Sequence, residues 1–441
     1  MMRQKSNYVA AIDIGTTKIV SLIGRVNESK RLEVLGMSKT VSKGVKRGVV
    51  LNIEETVTAI RQTVDEAQKQ AGVQFSDVFV GIAGQHIKSI KNRGYINLGS
   101  DRDEITQKDI DALINDMYKI PIELGEEIIH VLPQNFIVDN ETGVKNPVGM
   151  SGRRLEANFH IVIGQIASAK NIEKCVNRVG LRVNQLILEP LASSAAVLTD
   201  DEKEAGVALV DIGGGTTDVA VFYDDSIRHT AVIPFGGNVV TKDIKEGCKI
   251  LHRQAEALKT QFGSALGDLA PEDKVVTIPG INGRDPKEIS FKNLAYIIQM
   301  RMEEIIDAVM FEIENSGCMD KLSAGIVLTG GGALLKHLAQ LVRFQTGMDV
   351  RIGYPVEYLA GENNHEINKP QYATSVGLLL KGWDLMNKDE SEESDKRAEL
   401  KEEDEEAIMA EADENRIGSG IIAAFKRRIT DIFEEKGADM E

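Results

Sequence analysis

Val207-Ala208-Leu209-Val210-Asp211-Ile212-Gly213-Gly214-Gly215-Thr216-Thr217-Asp218-Val219-Ala220-Val221 is an apolar, β-rich run that ends in aspartate, turns through glycine and threonine, and re-enters a second apolar run. The same pattern stands 198 positions earlier, in Val9-Ala10-Ala11-Ile12-Asp13-Ile14-Gly15-Thr16-Thr17-Lys18-Ile19-Val20. Each copy predicts a buried strand, a tight turn and a returning strand. Glycine lets a backbone turn sharply and bring its N–H groups close to a ligand. The threonine hydroxyls add donors. An aspartate at the strand end is an acceptor suited to a hydrated magnesium ion. One such hairpin is weak evidence, because Gly-Thr turns are common in plain hairpins. Two copies imply two related α/β domains with a nucleotide between them, gripped from both sides.

A third glycine turn follows a third apolar run, Gly325-Ile326-Val327-Leu328-Thr329-Gly330-Gly331-Gly332, and leads into a predicted helix over Ala333 to Thr346. Bare backbone at a helix start suits a ribose, an adenine face or a phosphate. The plain alternative is a strand-to-helix turn that needs glycine only for its geometry. No G-x-G-x-x-G opens a Rossmann unit here, and no G-x-x-x-x-G-K-[ST], H-E-x-x-H or G-x-S-x-G occurs. Dehydrogenase, P-loop, zinc-protease and serine-hydrolase readings therefore lack support.

The chain has 441 residues, 42% of them hydrophobic and 27% charged, enough for several domains with a sizeable core. The net charge of -16 argues against nucleic acid as a partner, since phosphate binding needs a basic footprint. No run of about 18 apolar residues exists to span a bilayer. The first residues lack the charged and apolar regions of a signal peptide. Cys175, Cys248 and Cys318 are scattered and odd in number, which fits a reducing cytoplasm and no metal or redox motif.

Between Lys388 and Arg416 fourteen acids face five bases, so this segment alone carries -9. It has almost no apolar side chains and reads as a solvated acidic linker, 388–416. The plain alternative is an exposed acidic helix. Beyond it Ile417, Ile421, Ile422, Phe425, Ile429, Ile432 and Phe433 recur at helical spacing, with Lys426, Arg427 and Arg428 at the centre. That predicts an amphipathic helix over 417–436, suited to lie in an anionic membrane surface. Docking on the protein's own core or on a partner groove is the alternative.

Asp13 to Lys18 resembles the first phosphate motif of the actin, sugar-kinase and heat-shock-chaperone ATPase superfamily. Asp211 to Asp218 resembles its second phosphate motif, and Leu328 to Leu335 its adenosine motif. Ile187-Leu188-Glu189-Pro190-Leu191-Ala192-Ser193-Ser194-Ala195 and Tyr372-Ala373-Thr374-Ser375-Val376-Gly377-Leu378 resemble its two helical connecting motifs. All five follow the superfamily's order. Within it, the Glu189-Pro190-Leu191-Ala192 connector, the Ile233-Pro234-Phe235-Gly236-Gly237-Asn238 turn and the tail resemble the FtsA family, bacterial actin homologues of cell division.

The resemblance implies an actin-like ATPase fold: two related α/β domains around a nucleotide cleft, an α+β insertion in domain I and a C-terminal amphipathic helix. It implies domain I over 1–84, 166–191 and 371–387, interrupted by an insert at 85–165. Domain II would cover 192–261 and 294–370, with a small insertion at 262–293. ATP and Mg2+ would lie between the domains. Asp13 and Asp211 would hold magnesium through water. Gly15, Thr16, Thr17 and Lys18 would grip the phosphates from one side, and Gly213, Gly214, Gly215, Thr216 and Thr217 from the other, with Gly236 beside them. Glu256 and Lys259 would approach ribose and adenine, or form only an exposed ion pair. Gly330, Gly331 and Gly332 would approach the adenine. Glu189, with Asp211, is the candidate for positioning a hydrolytic water, and its alternative is a helix-start carboxylate. Slow or absent hydrolysis is expected.

The resemblance further implies self-association into protofilaments, capture of the C-terminal peptide of FtsZ, and contact with later division proteins through the insert. The expected place is the cytoplasmic face of the inner membrane at the division site. A pilus-assembly relative, a chaperone or a small-molecule kinase on the same fold is the rival reading.

Overall fold

β1 (Val9–Ile14) is buried along its whole length, Asp13 included, and the apolar run Val9–Ile12 suits a strand covered on both faces. It turns into β2 (Lys18–Val26) and β3 (Leu32–Val41). The short hairpin β4 (Val45–Lys46) and β5 (Val49–Val50) leads to α1 (Ile53–Ala71) and β6 (Asp77–Ile82). Asn52 caps α1 by accepting the Glu55 N–H at 3.2 Å, and Gly72 ends it at a left-handed φ of 67°. Val57, Ile60, Val64 and Ala67 form its buried face.

The chain then leaves this sheet for β7 (Lys88–Asn97), α2 (Gln107–Met117), β8 (Glu126–Val138), β9 (Glu141–Val144) and β10 (Arg154–Gln165). These strands form a separate antiparallel sheet in the order β7-β10-β8-β9. Leu113 of α2 packs with Leu155, Phe159 and Ile161 in a core of its own. The insert's apolar runs in the sequence, around Tyr95-Leu98, Ile128-Leu132 and Phe159-Ile163, cover only part of β7, β8 and β10.

α3 (Ile166–Asn177) and β11 (Arg182–Leu188) return to the first sheet, whose order is β11-β6-β1-β2-β3. α4 (Glu189–Val197) and α5 (Asp200–Ala205) cross to the second lobe.

There β12 (Val207–Ile212), β13 (Thr217–Tyr223) and β14 (Ser226–Ile233) run antiparallel, followed by α6 (Gly237–Cys248) and α7 (His252–Phe262). The hairpin β15 (Val275–Ile278) and β16 (Lys287–Ser290) precedes α8 (Phe291–Asn315), β17 (Ile326–Thr329), α9 (Leu338–Thr346) and β18 (Val350–Ile352). The sheet order is β14-β13-β12-β17-β18. Strand for strand this matches the first sheet: an antiparallel three-strand meander, then two parallel strands. The duplication legible in the hairpins therefore extends to the whole sheet.

This is a computed structural model, and it describes residues 8–388 apart from 28, 30, 100–103, 281–284, 356–358 and 361–365. The acidic linker beyond Lys388 and the amphipathic segment 417–436 lie outside the described residues. The chain up to Trp383 is one compact unit. Its last helix begins at residue 373, and the described part of the second unit, 384–388, is helical. Among the described residues no helix is long and apolar enough to cross a membrane.

The helix expected over Ala333 to Thr346 is shorter. A 3-10 turn covers Gly332–Leu334, and α9 begins only at Leu338. His337 stands between them at a φ of 64°, a left-handed conformation that cannot continue a right-handed helix.

Candidate functional site

The registers fix where the hairpin tips lie. Asp13 pairs with Val20 and Ile14 with Ile19, leaving Gly15–Lys18 to turn at the end of β1. Asp211 pairs with Asp218 and Ile212 with Thr217 in the second copy. The two tips face one another across the lobes. A Cβ built on Gly214 would stand 2.6 Å from Thr17 Oγ1, and one built on Gly215 would stand 2.6 Å from Thr16 Oγ1. A side chain at either glycine would force the facing threonine to move. Thr16 is held in turn by the Gly48 N–H, which donates to its hydroxyl at 3.1 Å.

Behind the tips the carboxylates converge. Asp13, Asp211 and Asp218 are 7%, 8% and 4% exposed. Burial pushes the Asp13 carboxyl above its ordinary range, against the pull of the Lys18 ammonium and the Ser375 hydroxyl. Burial likewise raises Asp211, opposed by hydrogen bonds from Ser193 and Thr374. Asp218 is raised well above the usual carboxylate range by burial and by the neighbouring Asp211 charge. Glu189, the first residue of α4, is also raised well above it by burial, then by Asp13, Asp218 and Asp211. Lys18 is the cation of the cluster. Burial lowers its pKa while Asp13, Asp211 and Glu189 oppose the shift. Its Nζ donates to the Gln371 carbonyl and lies 4.6 Å from the centre of the Tyr372 ring.

Two helices that join the lobes hold the acids in place. Ser193 of α4 donates to Asp211 Oδ2 at 2.7 Å, and Thr374 of the last helix donates to the same oxygen at 3.1 Å. Ser375 donates to Asp13 Oδ2 at 2.7 Å. Just before α4, the Leu188 N–H donates to Nε2 of His130, a buried imidazole on β8 of the insert. Burial, with the nearby Lys381 charge, pulls that imidazole down to about 4, so it stays neutral and able to accept.

The remaining expected residues fall around the second tip. A Cβ on Gly236 would meet the carbonyl oxygens of Gly213 and Thr216 at 2.6 and 2.8 Å. The Gly237 and Asn238 N–H groups donate to Gly213 and Gly214 at 2.9 and 2.8 Å. Lys259 of α7 donates to the Gly237 carbonyl at 2.9 Å and to Thr241 at 2.8 Å, and it pairs with Glu256 at 2.8 Å. The pair is thus tied to the tip as well as to itself. The three late glycines differ from one another. Gly330, at a φ of 83°, packs against Asp211 and Ile212, and Gly332 packs against Ile212. Gly331 alone faces open space.

Sequence reasoning left out Asp218, Ser193, Thr374 and Ser375 as site residues. Asp218 carried a signal, since an acid at that register must sit opposite Asp211. Its Oδ2 is 3.4 Å from the Thr216 hydroxyl, and its buried Oδ1 has no partner. The serines and Thr374 stand inside the connecting motifs, but only the helix crossing turns them toward the acids. The residues fit a magnesium-bearing polyphosphate. Glycine faces open onto threonine hydroxyls, and the crowded carboxylates have an unmet demand for positive charge. Among the described residues no three His, Cys, Asp or Glu side chains converge on a point that would hold a metal directly.

Comparison with known proteins gives the lineage. A family model described as cell division protein FtsA matches residues 208–377, and one described as the SHS2 domain inserted in FtsA matches 84–163. Cell division protein FtsA of Pseudomonas aeruginosa is 42% identical, covering 86% of this chain and 90% of its own. The protein of that name from Neisseria meningitidis is 37% identical over 98% of this chain and 100% of its own. Among solved structures, the PilM-PilN type IV pilus biogenesis complex is similar at a TM-score of 0.60 and 14% identity, over 86% of this chain and 99% of that one. MreB5 of Spiroplasma citri bound to AMPPNP is similar at 0.52 and 14%, over 89% and 99%. These likenesses show an actin-like ATPase fold.

Proposed function

The chain belongs to the FtsA family of cell division proteins, and on that premise we propose that it binds ATP with magnesium between its lobes, polymerises, and tethers FtsZ filaments to the membrane. The observation that carries the nucleotide reading is the meeting of the two tips, Thr16 and Thr17 against Gly214 and Gly215. Gly15–Lys18 grip the phosphates from lobe I, and Gly213–Thr217 from lobe II, steadied by Gly236. Asp13 and Asp211 would hold a magnesium ion through its water. Bound magnesium would neutralise phosphate charge, while Ser375, Ser193 and Thr374 keep the two aspartates oriented. Glu256, Lys259 and Gly331 lie toward the sugar and base. Glu189, at the start of α4, orients a water for slow hydrolysis, with Asp211 beside it. Burial and the Asp13, Asp218 and Asp211 charges raise the Glu189 carboxyl, and the charge of a bound cation beside it would favour its ionised form.

In this reading domain I covers 1–84, 166–191 and 371–387 and domain II 192–261 and 294–370, with inserts at 85–165 and 262–293. The first insert contacts later division partners, and the region around β15 and β16 receives the C-terminal peptide of FtsZ. The helix over 417–436, with Ile417, Phe425, Lys426, Arg427, Arg428 and Phe433, lies in the anionic cytoplasmic face of the inner membrane. One helix gives weak attachment. Many in one filament act together, so polymerisation and membrane binding reinforce each other. The acidic linker keeps the body off the like-charged surface.

Two assays test the proposal. Full-length protein should cosediment with anionic vesicles only while residues 417–441 are present, and should capture an immobilised FtsZ C-terminal peptide. Undiminished vesicle binding after the truncation defeats the membrane assignment. Failure to bind ATP by calorimetry defeats the nucleotide assignment.

A further inference from the structure

The insert touches both lobes. It springs from lobe I and lies against β14, the edge strand of the lobe II sheet. Ser89 Oγ donates to the Thr230 carbonyl at 3.1 Å, and Gln134 Nε2 donates to the Ile227 carbonyl at 2.7 Å. Ser226 Oγ donates back to the Gln134 carbonyl at 2.7 Å. Lys145 reaches both Asp224 and Asp225 at 2.8 Å. Nε2 of the buried His160 and the Thr230 hydroxyl lie 2.8 Å apart. These links are polar, and the insert core around Leu113 and Phe159 is distinct from the lobe II core around Ile298 and Leu328. On opening, polar links of this kind are exchanged for bonds to water, so each contributes modestly to the closed state.

Its position gives it a mechanical role. The β13–β14 pair has two ends. At one, Thr217 pairs with Ile233 beside the second tip. At the other, Tyr223 pairs with Ser226, and the seam runs from there along β14 to Thr230. The chain passes between the lobes through α4 and the last helix, which cross near Ala192 and Gly377. A rotation of lobe II about that crossing must shear the seam, because the insert is rooted in lobe I.

We propose that the seam between the insert and β14 is a latch on lobe closure. Made, it holds the two tips together and retains the nucleotide; broken, it lets the lobes part and the nucleotide leave. A partner that draws the insert away would thereby speed exchange at a distance. The retention of nucleotide rests on the ATP-binding reading above, whereas the mechanical coupling does not.

The test uses the full chain with Lys145→Glu, which sets a carboxylate against Asp224 and Asp225, and the same variant with Asp224→Asn and Asp225→Asn. Both turn positions have left-handed φ, which asparagine tolerates. Hydrogen–deuterium exchange of the nucleotide-free protein should quicken at Gly15–Lys18 and Gly213–Thr217 in Lys145→Glu, and return most of the way in the triple variant. Release of a fluorescent ATP analogue should quicken by roughly threefold to tenfold in parallel. Unchanged exchange at the tips overturns the latch. A wild-type chain that binds no analogue overturns the nucleotide reading and leaves the exchange result to judge the latch. Faster exchange that the Asn substitutions do not reverse also overturns it, since general loosening would explain it.

Discussion

Gly377 lies so close to the carbonyl oxygen of Ala192 that α4 and the last helix cross with no side chain between them. Thr374 and Ser375, one turn before the crossing, are the residues that reach Asp211 and Asp13. The same contact that joins the lobes therefore orients the acids of the cleft.

Gly377→Ala puts a methyl group into that backbone contact, where no flexible neighbour can yield. We expect a loss of about 3 kcal/mol, at the upper end for overpacking, measured by urea denaturation. Weaker nucleotide binding should accompany it, because the helix carrying Thr374 and Ser375 must shift.

Gly214→Ala and Gly215→Ala press on threonine side chains at the cleft instead. Stability should change by less than about 1 kcal/mol, while calorimetric ATP affinity falls at least roughly tenfold. Unaltered affinity would remove the tips from the binding site.

Ser375→Ala and Ser193→Ala each take a hydroxyl from a buried aspartate. Hydrogen bonds to charged groups contribute about 1.5–3 kcal/mol, so magnesium-dependent ATP affinity should fall roughly tenfold or more. Binding measured in EDTA should fall less if the serines act through the metal-orienting acids.

Asp218→Asn should stabilise the ligand-free protein. Its carboxyl is raised on folding, so ionising it in the native state costs energy that builds as pH rises above the ordinary carboxylate range. The gain should be present in thermal melts at pH 7 in EDTA and disappear near pH 3, where the carboxyl is protonated in both states.

His130 sets an acid limit of the opposite sign. Its folded value of about 4 lies below the ordinary 6.5, so the unfolded chain binds the extra proton between those values. Stability should fall as pH drops through that window, by up to about 3 kcal/mol from this residue, and level off below it. His130→Gln, which can still accept from Leu188, should flatten that part of the pH profile.

Much of the fold was legible because the two hairpins carry their own signal. Alternation cannot reveal β1 and β12, which are buried on both faces, but the Asp-Gly-Thr ends mark where they stop. The adenosine turn was harder. Three glycines in a row read alike, yet Gly330 and Gly332 serve packing against Ile212 and only Gly331 opens outward. The break before α9 was hidden as well, because His337 has no local mark of its left-handed backbone. The insert's strands outran their apolar cores, since one face of that sheet is polar where it meets lobe II. His130 had no signal at all: its role comes from a strand that the chain order places 58 residues from Leu188.

β14 is sealed by side chains rather than by another strand. A molecule whose insert swings away bares a row of carbonyls and amides at a sheet margin, a template on which foreign strands can pair. Solubility is thus tied to the same docking as motion. Variants that free the insert should clump on storage sooner than their melting temperatures foretell, and crowding them at high concentration would hasten it.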